Sequence, residues 1–423
     1  MIPKNAKQYF TIQTNINKKK EGKLKKYTIS VKDCICIKNV ETTSSSKILK
    51  GYKPVFNATV VDKVLNEGAT IIGKTIQDEF GFGTFCTNTG IGYKNPTNPA
   101  DNTRVTGGSS GGSAAATNLL PNHISIAEST GGSIANPASF CNVVGITPTY
   151  GVVSRYGLID YANSLDKIGI MAKTLKEAKL GLSVIKGYDE KDSTSIKKEI
   201  SLETTQKKFD IGIPKQYVKN IHPKIKKRFD ETIQKLKKQG HNIKTVSLPL
   251  NQTYSIQTYY IIAMSEASTN LAKLSGLRYG MSNDKNQEFN EYFKTVRSQN
   301  FGKEAKRRIL LGTFARMAGY RDAYYEKALK VRTKLIQEYK DIFQKVDILA
   351  HPTMPIFPPK FDEVKKLTAL ETYQMDLQTV GANLAGLPHI TVPLQSKLAS
   401  GIMLTSNHFE EKKLFKLGED VEQ

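Results

Sequence analysis

The chain has 423 residues, 39% of them hydrophobic and 9% aromatic, enough to bury a large core in one α/β domain or two ordinary ones. Its apolar runs fall short of the ~20 residues that a membrane-spanning helix needs, and four cysteines without a CxxC pair exclude a disulfide scaffold and point to a reducing compartment. The formal net charge of +23 fits an acidic partner such as nucleic acid; because the lysines are spread along the chain, a generally lysine-rich composition explains it equally well.

The N-terminal stretch is basic and has no acidic residue before Glu21. It lacks the apolar core of a secretory signal and is compatible with an organelle import segment, though poor in the Arg and Ser that such segments favour. Residues 26–37 (KYTISVKDCICI) alternate and are rich in β-formers, which predicts a strand. Val60, Val61, Val64 and Leu65 share one helical face ahead of a stop at Gly68, and TIIGKT then reads as a strand. SLDKIGIMAKT predicts another strand, followed by a helix to Ile185, and FDIGIPK a further strand. A helix is expected over 223–239, with Ile225, Phe229, Ile233 and Leu236 on one face, then a strand over 242–250 (NIKTVSLPL). Residues 254–343 read as mostly helical and very basic, DILAHPTMP as a strand, and 384–404 as closing strands. The simplest architecture is one mixed α/β domain over 1–423 with a helical region inside it.

Two glycine-serine clusters stand out, GGSSGGS at 107–113 and TGGSI at 130–134. Glycine lets backbone approach a ligand closely, and successive amides in such a corner can hold an oxyanion. TGGSI therefore reads as a nucleophile, Ser133, with an oxyanion hole from the amides of Thr130, Gly131, Gly132 and Ser133. A plain glycine-rich turn is the competing reading; a phosphate loop is not, since GxxxxGK[ST] and a strand-borne GxGxxG are absent. The six histidines show no triad signature and G-x-S-x-G is missing; His123, after PN, reads as a loop residue. A serine–lysine system needs no histidine, only a lysine buried enough to take a proton. Lys32, inside the apolar strand, is such a candidate, although most lysines occupy solvated faces. Cys34 and Cys36 read as strand residues, one of which faces the core.

Lys32 in SVKD, GGSSGGSAAA at 107–116, TGGSIANPASF at 130–140 and VGITPTYGVVSRYGLIDYANSLDKIG after it together resemble the amidase signature family. The resemblance implies one α/β/α domain around a mixed sheet of about eleven strands, and amide hydrolysis by a Ser–cis-Ser–Lys triad. Residue by residue, Ser133 matches the nucleophile, Ser109 the bridging serine on an unusual cis peptide, and Lys32 the general base, with Ser110 and Ser113 as supporting hydrogen-bonding groups. Further stretches, SEASTNLAKLSGLRYG (265–280), residues 301–335 and NLAGLPHITVPL (383–394), resemble the glutaminase subunits of glutamyl-tRNA(Gln) amidotransferases within that family. This implies glutamine as substrate, with no metal or nucleotide bound by the glutaminase itself. It also implies a B subunit that uses ATP and Mg to amidate Glu-tRNA(Gln), together with a small accessory subunit. The matching substrate contacts are Tyr259, Arg308 and Asp376, with Arg308 clamping the α-carboxylate and Asp376 the α-ammonium; without the resemblance Arg308 would read as one more exposed arginine. The family pattern has Asp four residues before the nucleophile and Arg two after it, where this chain has Ser129 and Ala135. That loss puts the rigidity of the oxyanion loop in doubt, not the triad, and leaves a catalytically weak scaffold subunit, or a stand-alone amidase of another small amide, as the alternative readings. A short N-terminal region, a short C-terminus and DEFGFGT at 78–84 resemble a shortened fungal mitochondrial form, which places the protein in the mitochondrial matrix, with the cytoplasm as the alternative.

Overall fold

The computed structural model describes residues 2–90, 92–282, 286–394 and 398–422. Its strands are β1 (Phe10–Ile16), β2 (Thr28–Lys32), β3 (Thr70–Thr75), the short pair β4 (Thr97–Asn98) and β5 (Asp101–Val105), β6 (His123–Ser129), β7 (Val144–Thr147), β8 (Lys167–Ala172), β9 (Asp210–Pro214), β10 (Asn242–Val246), β11 (Ile348–Pro352), β12 (His389–Pro393) and β13 (Gly401–Ser406). All but β4 and β5 join one eleven-stranded sheet in the order β1-β3-β2-β6-β8-β7-β12-β13-β11-β9-β10. The sheet is mixed: β3, β2 and β6 run parallel, the centre from β6 to β11 is antiparallel, and β11, β9 and β10 are parallel again. This is the mixed sheet of about eleven strands that the family resemblance implied.

Alternation along the strands separates two unlike faces. In β2, Ile29 and Val31 join the large apolar core, as do Ile124 and Ile126 of β6 and Ile168 and Ile170 of β8. That core is covered in part by α1 (Thr59–Asn66), the first of thirteen α-helices among the described residues. The others are α2 (Gly111–Leu119), α3 (Ala135–Phe140), α4 (Leu175–Ile185), α5 (Pro223–Lys238), α6 (Pro249–Asn270), α7 (Phe289–Asn300), α8 (Lys303–Arg316), α9 (Lys327–Phe343), α10 (Phe361–Val364), α11 (Ala369–Gln374), α12 (Leu377–Leu384) and α13 (Glu411–Glu422). Of these, α1, α4, α5 and α13 supply the apolar side chains of the large core. On the opposite face the small residues Ala114, Ala115, Ala116 and Ala138 let α2 and α3 lie close to Ala127 and Met171. Thr28, Ser30 and Lys32 point to this second face. Hydroxyls line it: Ser30 Oγ meets Ser125 Oγ at 2.7 Å and Thr75 Oγ1 meets Ser113 Oγ at 2.6 Å.

The helical region expected over 254–343 is present as α6 to α9, which share a second core with Phe80, Phe82 and Tyr161. Two boundaries differ from the sequence reading. The strand read over 26–37 ends at Lys32, and Cys34 and Cys36 are both buried in the turn that follows. The strand read over 242–250 ends at Val246, because Pro249 opens α6 at its first turn, where a missing N–H costs nothing.

Ile170 is fully buried at the centre of β8, paired with Ile126. Ile170→Ala is expected to lower the unfolding free energy of the full chain by ~2–5 kcal/mol, read from urea denaturation followed by circular dichroism.

Candidate active site

The buried lysine lies at the end of a strand. Lys32 closes β2 with no solvent exposure, and its Nζ donates to Ser109 Oγ (2.7 Å), to the Glu128 carbonyl (3.0 Å) and to Glu128 Oε2 (2.8 Å). Nζ thus has three oxygen partners, as many as a lysine side chain can serve. Ser109 lies in the loop before α2, and the Gly108–Ser109 peptide is cis, as the resemblance implied. The loop is gripped from several sides. The Gly108 N–H donates to the Thr84 carbonyl (2.7 Å) and the Asp78 N–H to the Ser109 carbonyl (3.1 Å). Asp78 itself accepts from the Cys86 N–H (3.0 Å) and the Asn88 N–H (2.8 Å). Ser110 supports the neighbouring turn: its hydroxyl donates to the Glu128 carbonyl (3.1 Å) and its N–H to the Ser133 carbonyl (3.3 Å). Ser113 serves the hydroxyl layer described above.

Ser133 sits on the turn between β6 and α3, almost buried. Among the described residues no hydrogen bond is made by the backbone N–H groups of Gly131, Gly132 and Ser133, which leaves them free to bind an oxyanion. The turn is braced from outside. A Cβ on Gly131 would sit 2.8 Å from the Tyr259 hydroxyl, and one on Gly132 would sit 2.3 Å from Thr379 Oγ1. Asn383 Nδ2 donates to the Thr130 carbonyl. The close approach of Tyr259 and Thr379 is why glycine is needed at both positions.

The substrate-contact candidates gather beyond Tyr259. The Arg308 guanidinium, on α8, is buried and ringed by Phe82, Tyr161, Tyr260 and Tyr373, with centroids 5.0, 5.6, 5.3 and 5.5 Å away. Its Nε donates to Glu304 Oε1 (2.9 Å) and its Nη1 to the Tyr161 hydroxyl (2.5 Å). Asp376, at the start of α12, accepts from the Tyr260 hydroxyl (2.7 Å) and Thr84 Oγ1 (3.1 Å). Burial pushes its carboxyl up to about 6. Tyr259 and Tyr260 are edge-on neighbours at 4.9 Å, so one aromatic group joins the oxyanion turn, the cation and the anion. A pocket of about 370 Å³ opens beside it, lined in part by Thr84, Glu304, Arg308 and Tyr373.

Sequence reasoning missed the groups behind Lys32. The flanking charges looked lost because Ser129 and Ala135 stand where the family has Asp and Arg. The structure places a carboxylate one residue earlier, on Glu128. Ser129 Oγ is buried without a partner among the described residues, and Ala135 packs with Ala382 and Met403. The oxyanion turn is held by Tyr259, Thr379 and Asn383 instead. Glu128 was legible only as an acid inside an otherwise apolar strand, the same signal that marked Lys32. His123 is no loop residue either: it opens β6, buried between the Thr28 and Ser30 hydroxyls (2.8 and 3.0 Å), and burial pushes its ring down to about 3. The other five histidines have partners elsewhere, with His222 capping α5, His241 beside Asp420, and His351, His389 and His408 at the carbonyls of Pro352, Leu387 and Ala385. Among the described residues no histidine is hydrogen-bonded to Ser109 or Ser133, whereas Lys32 is bonded to Ser109.

The amidase family profile matches residues 1–415. The chain belongs to the amidase family. This amidase is 44% identical over 417 residues to the glutamyl-tRNA(Gln) amidotransferase A-subunit 2 of Clostridium acetobutylicum, covering 96% of the chain and 86% of that protein. It is 43% identical to the glutamyl-tRNA(Gln) amidotransferase A subunit of Natronomonas pharaonis, covering 97% of the chain and 98% of that protein. The amidase also superposes on the crystal structure of the glutamyl-tRNA(Gln) amidotransferase A subunit from Thermotoga maritima with a TM-score of 0.83 at 35% identity, covering 98% of the chain and 87% of that structure.

Gly131→Ala in this amidase places a methyl against the Tyr259 ring. An ångström-scale shift of the oxyanion amides is expected to lower amide turnover about a hundred-fold, while the thermal midpoint stays near wild type; parallel activity and melting measurements check it.

Proposed function

We propose that this amidase is the glutamine-hydrolysing A subunit of a tRNA-dependent amidotransferase. It releases ammonia from glutamine, and a partner B subunit uses that ammonia to convert Glu-tRNA(Gln) to Gln-tRNA(Gln). The observation that carries the reading is the pair of opposite charges, Arg308 and Asp376, buried around one aromatic group beyond the oxyanion turn. A free amino acid presents one carboxylate and one ammonium, and its side-chain amide then faces the other end of the site. The similarity to the Clostridium and Natronomonas relatives supports the same assignment.

In this mechanism Arg308 binds the α-carboxylate with the guanidinium edge that Glu304 leaves open. Asp376 binds the α-ammonium. Ser133 Oγ attacks the amide carbon while its proton passes to Ser109 Oγ and the Ser109 proton passes to Lys32 Nζ in its amine form. The developing O⁻ is held by the free amides of Gly131, Gly132 and Ser133. The proton returns through Ser109 to the departing nitrogen, which leaves as ammonia, and water then cleaves the glutamyl ester on Ser133.

The reading assigns no metal or nucleotide to this chain and gives ATP and Mg to the B subunit. Its partners are that B subunit, a small accessory protein of the same complex and, through the complex, Glu-tRNA(Gln). A strip of exposed apolar side chains on and after α8 (Leu310, Leu311, Phe314, Met317, Tyr320, Tyr324) supports a protein partner at the helical region. The same reading keeps the mitochondrial matrix as the compartment, with the cytoplasm as the alternative.

With the B subunit present, Ser133→Ala is expected to abolish ammonia release from glutamine, by roughly a thousand-fold or more; equal release by wild type and variant sinks the reading. Arg308→Ala is expected to raise KM for glutamine far more than it lowers turnover of a neutral amide. Asp376 adds a pH effect. Its raised folded value means the carboxylate protonates as pH falls through about 6, so KM for glutamine is expected to rise below that pH. Asp376→Asn should flatten the dependence, and steady-state kinetics from pH 5 to pH 8 decide it.

A further inference from the structure

Behind Lys32 lies a chain of groups that the triad does not use. Glu128 Oε2 touches Lys32 Nζ at 2.8 Å, with exposures of 4% and 0% for the two side chains. Its other oxygen, Oε1, lies 2.7 Å from Thr130 Oγ1, which in turn lies 2.8 Å from Asp166 Oδ1. Thr130 has one hydroxyl proton and cannot donate to both carboxylates. One of the two acids therefore carries a proton of its own and donates it to Thr130. Asp166 is that acid: burial, and next the Glu128 charge, hold its carboxyl well above the usual range. Its oxygens also accept the N–H groups of Tyr161 and Ala162. Every hydrogen bond then has one donor and one acceptor, running from Asp166 through Thr130 and Glu128 to Lys32 and Ser109.

Resting on the glutaminase reading above, we propose that Glu128 is a positioning residue that holds Lys32 as the ammonium at rest, and so sets the pH at which the serine relay becomes active. Only the amine form of Lys32 can take the Ser109 proton. It forms when the ammonium loses a proton to solvent as pH rises, and a carboxylate in contact opposes that loss. Other charged and titratable groups face Lys32 from further off. They are Asp78 and Cys86 from the loop that follows β3, Cys34 beyond β2, and Asp33 next to Lys32, itself paired with Lys74 of β3. Among these described groups Glu128 alone makes an ion pair with Lys32. Asp166 contributes by staying neutral, which leaves Glu128 as the ionised partner.

The test is the pH profile of kcat/KM for ammonia release from glutamine by the full-length protein assembled with its B subunit. Glu128→Gln is expected to move the acid limb to lower pH by at least about one unit, so that at the foot of the limb the variant turns over roughly tenfold faster than wild type. Glu128→Asp, which keeps a carboxylate, is expected to return the limb toward wild type. A limb that stays in place in Glu128→Gln, with activity lowered equally at every pH, overturns the proposal and leaves Glu128 a packing role. If neither variant folds, nitrogen-15 NMR of lysine-labelled wild type decides. A Lys32 Nζ signal in the ammonium form at neutral pH, identified by its loss in Lys32→Met, is the expected result, and an amine signal overturns the proposal. Wild type that releases no more ammonia than Ser133→Ala would instead overturn the glutaminase reading, whatever Glu128 does.

Discussion

A lysine inside a β-sheet has to be paired, and much of the site follows from how Lys32 is paired. An unpartnered ammonium has a steep desolvation cost. Here a serine hydroxyl, a backbone carbonyl and a carboxylate use up its three donors. Those partners come from the loop before α2 and from the end of β6, so pairing Lys32 also fixes Ser109 and the turn that bears Ser133. The same rule governs the other buried lysines. Lys74 is held by Asp33 and by Thr42 Oγ1 (2.6 Å). Lys167 donates to the Leu387 carbonyl (2.9 Å), and burial pushes it down to about 7.

The oxyanion turn depends on the opposite condition, amides that are kept free. An unbonded N–H is costly when buried, so the turn is held by everything except its own donors. Asn383 takes the Thr130 carbonyl, Tyr259 presses on Gly131 and Thr379 on Gly132. Two of these three braces come from α12, the helix that Asp376 opens. On the proposed function, substrate recognition and transition-state stabilisation share one element.

How much of this could be read beforehand varies with the physics involved. Hydrophobic periodicity placed α1, α4 and α5 and most strands, because burial on one face leaves a regular trace in sequence. It misjudged residues 247–250, where proline chemistry outweighs strand propensity, and His123, whose partners lie on a neighbouring strand. Lys32 was legible as a charge where the pattern called for none. Arg308 and Asp376 carry no local signal: a basic helix and a polar turn look alike anywhere, and only the family resemblance picked them out. Glu128 is masked by the missing charges at Ser129 and Ala135, because a carboxylate moved by one residue along a strand end looks like a loss. Its partnership with Lys32 is a contact between strands, which spacing along one chain does not reveal.

Asp78 and Glu79 are neighbours in sequence with different duties. Asp78 grips the loop around the cis peptide, while Glu79 accepts the N–H of Gly302, the residue that caps α8. The relay end and the arginine end are therefore fastened to adjacent residues. One peptide unit thus ties the loop that carries Ser109 to the start of the helix that carries Arg308, so a shift at either end is passed to the other.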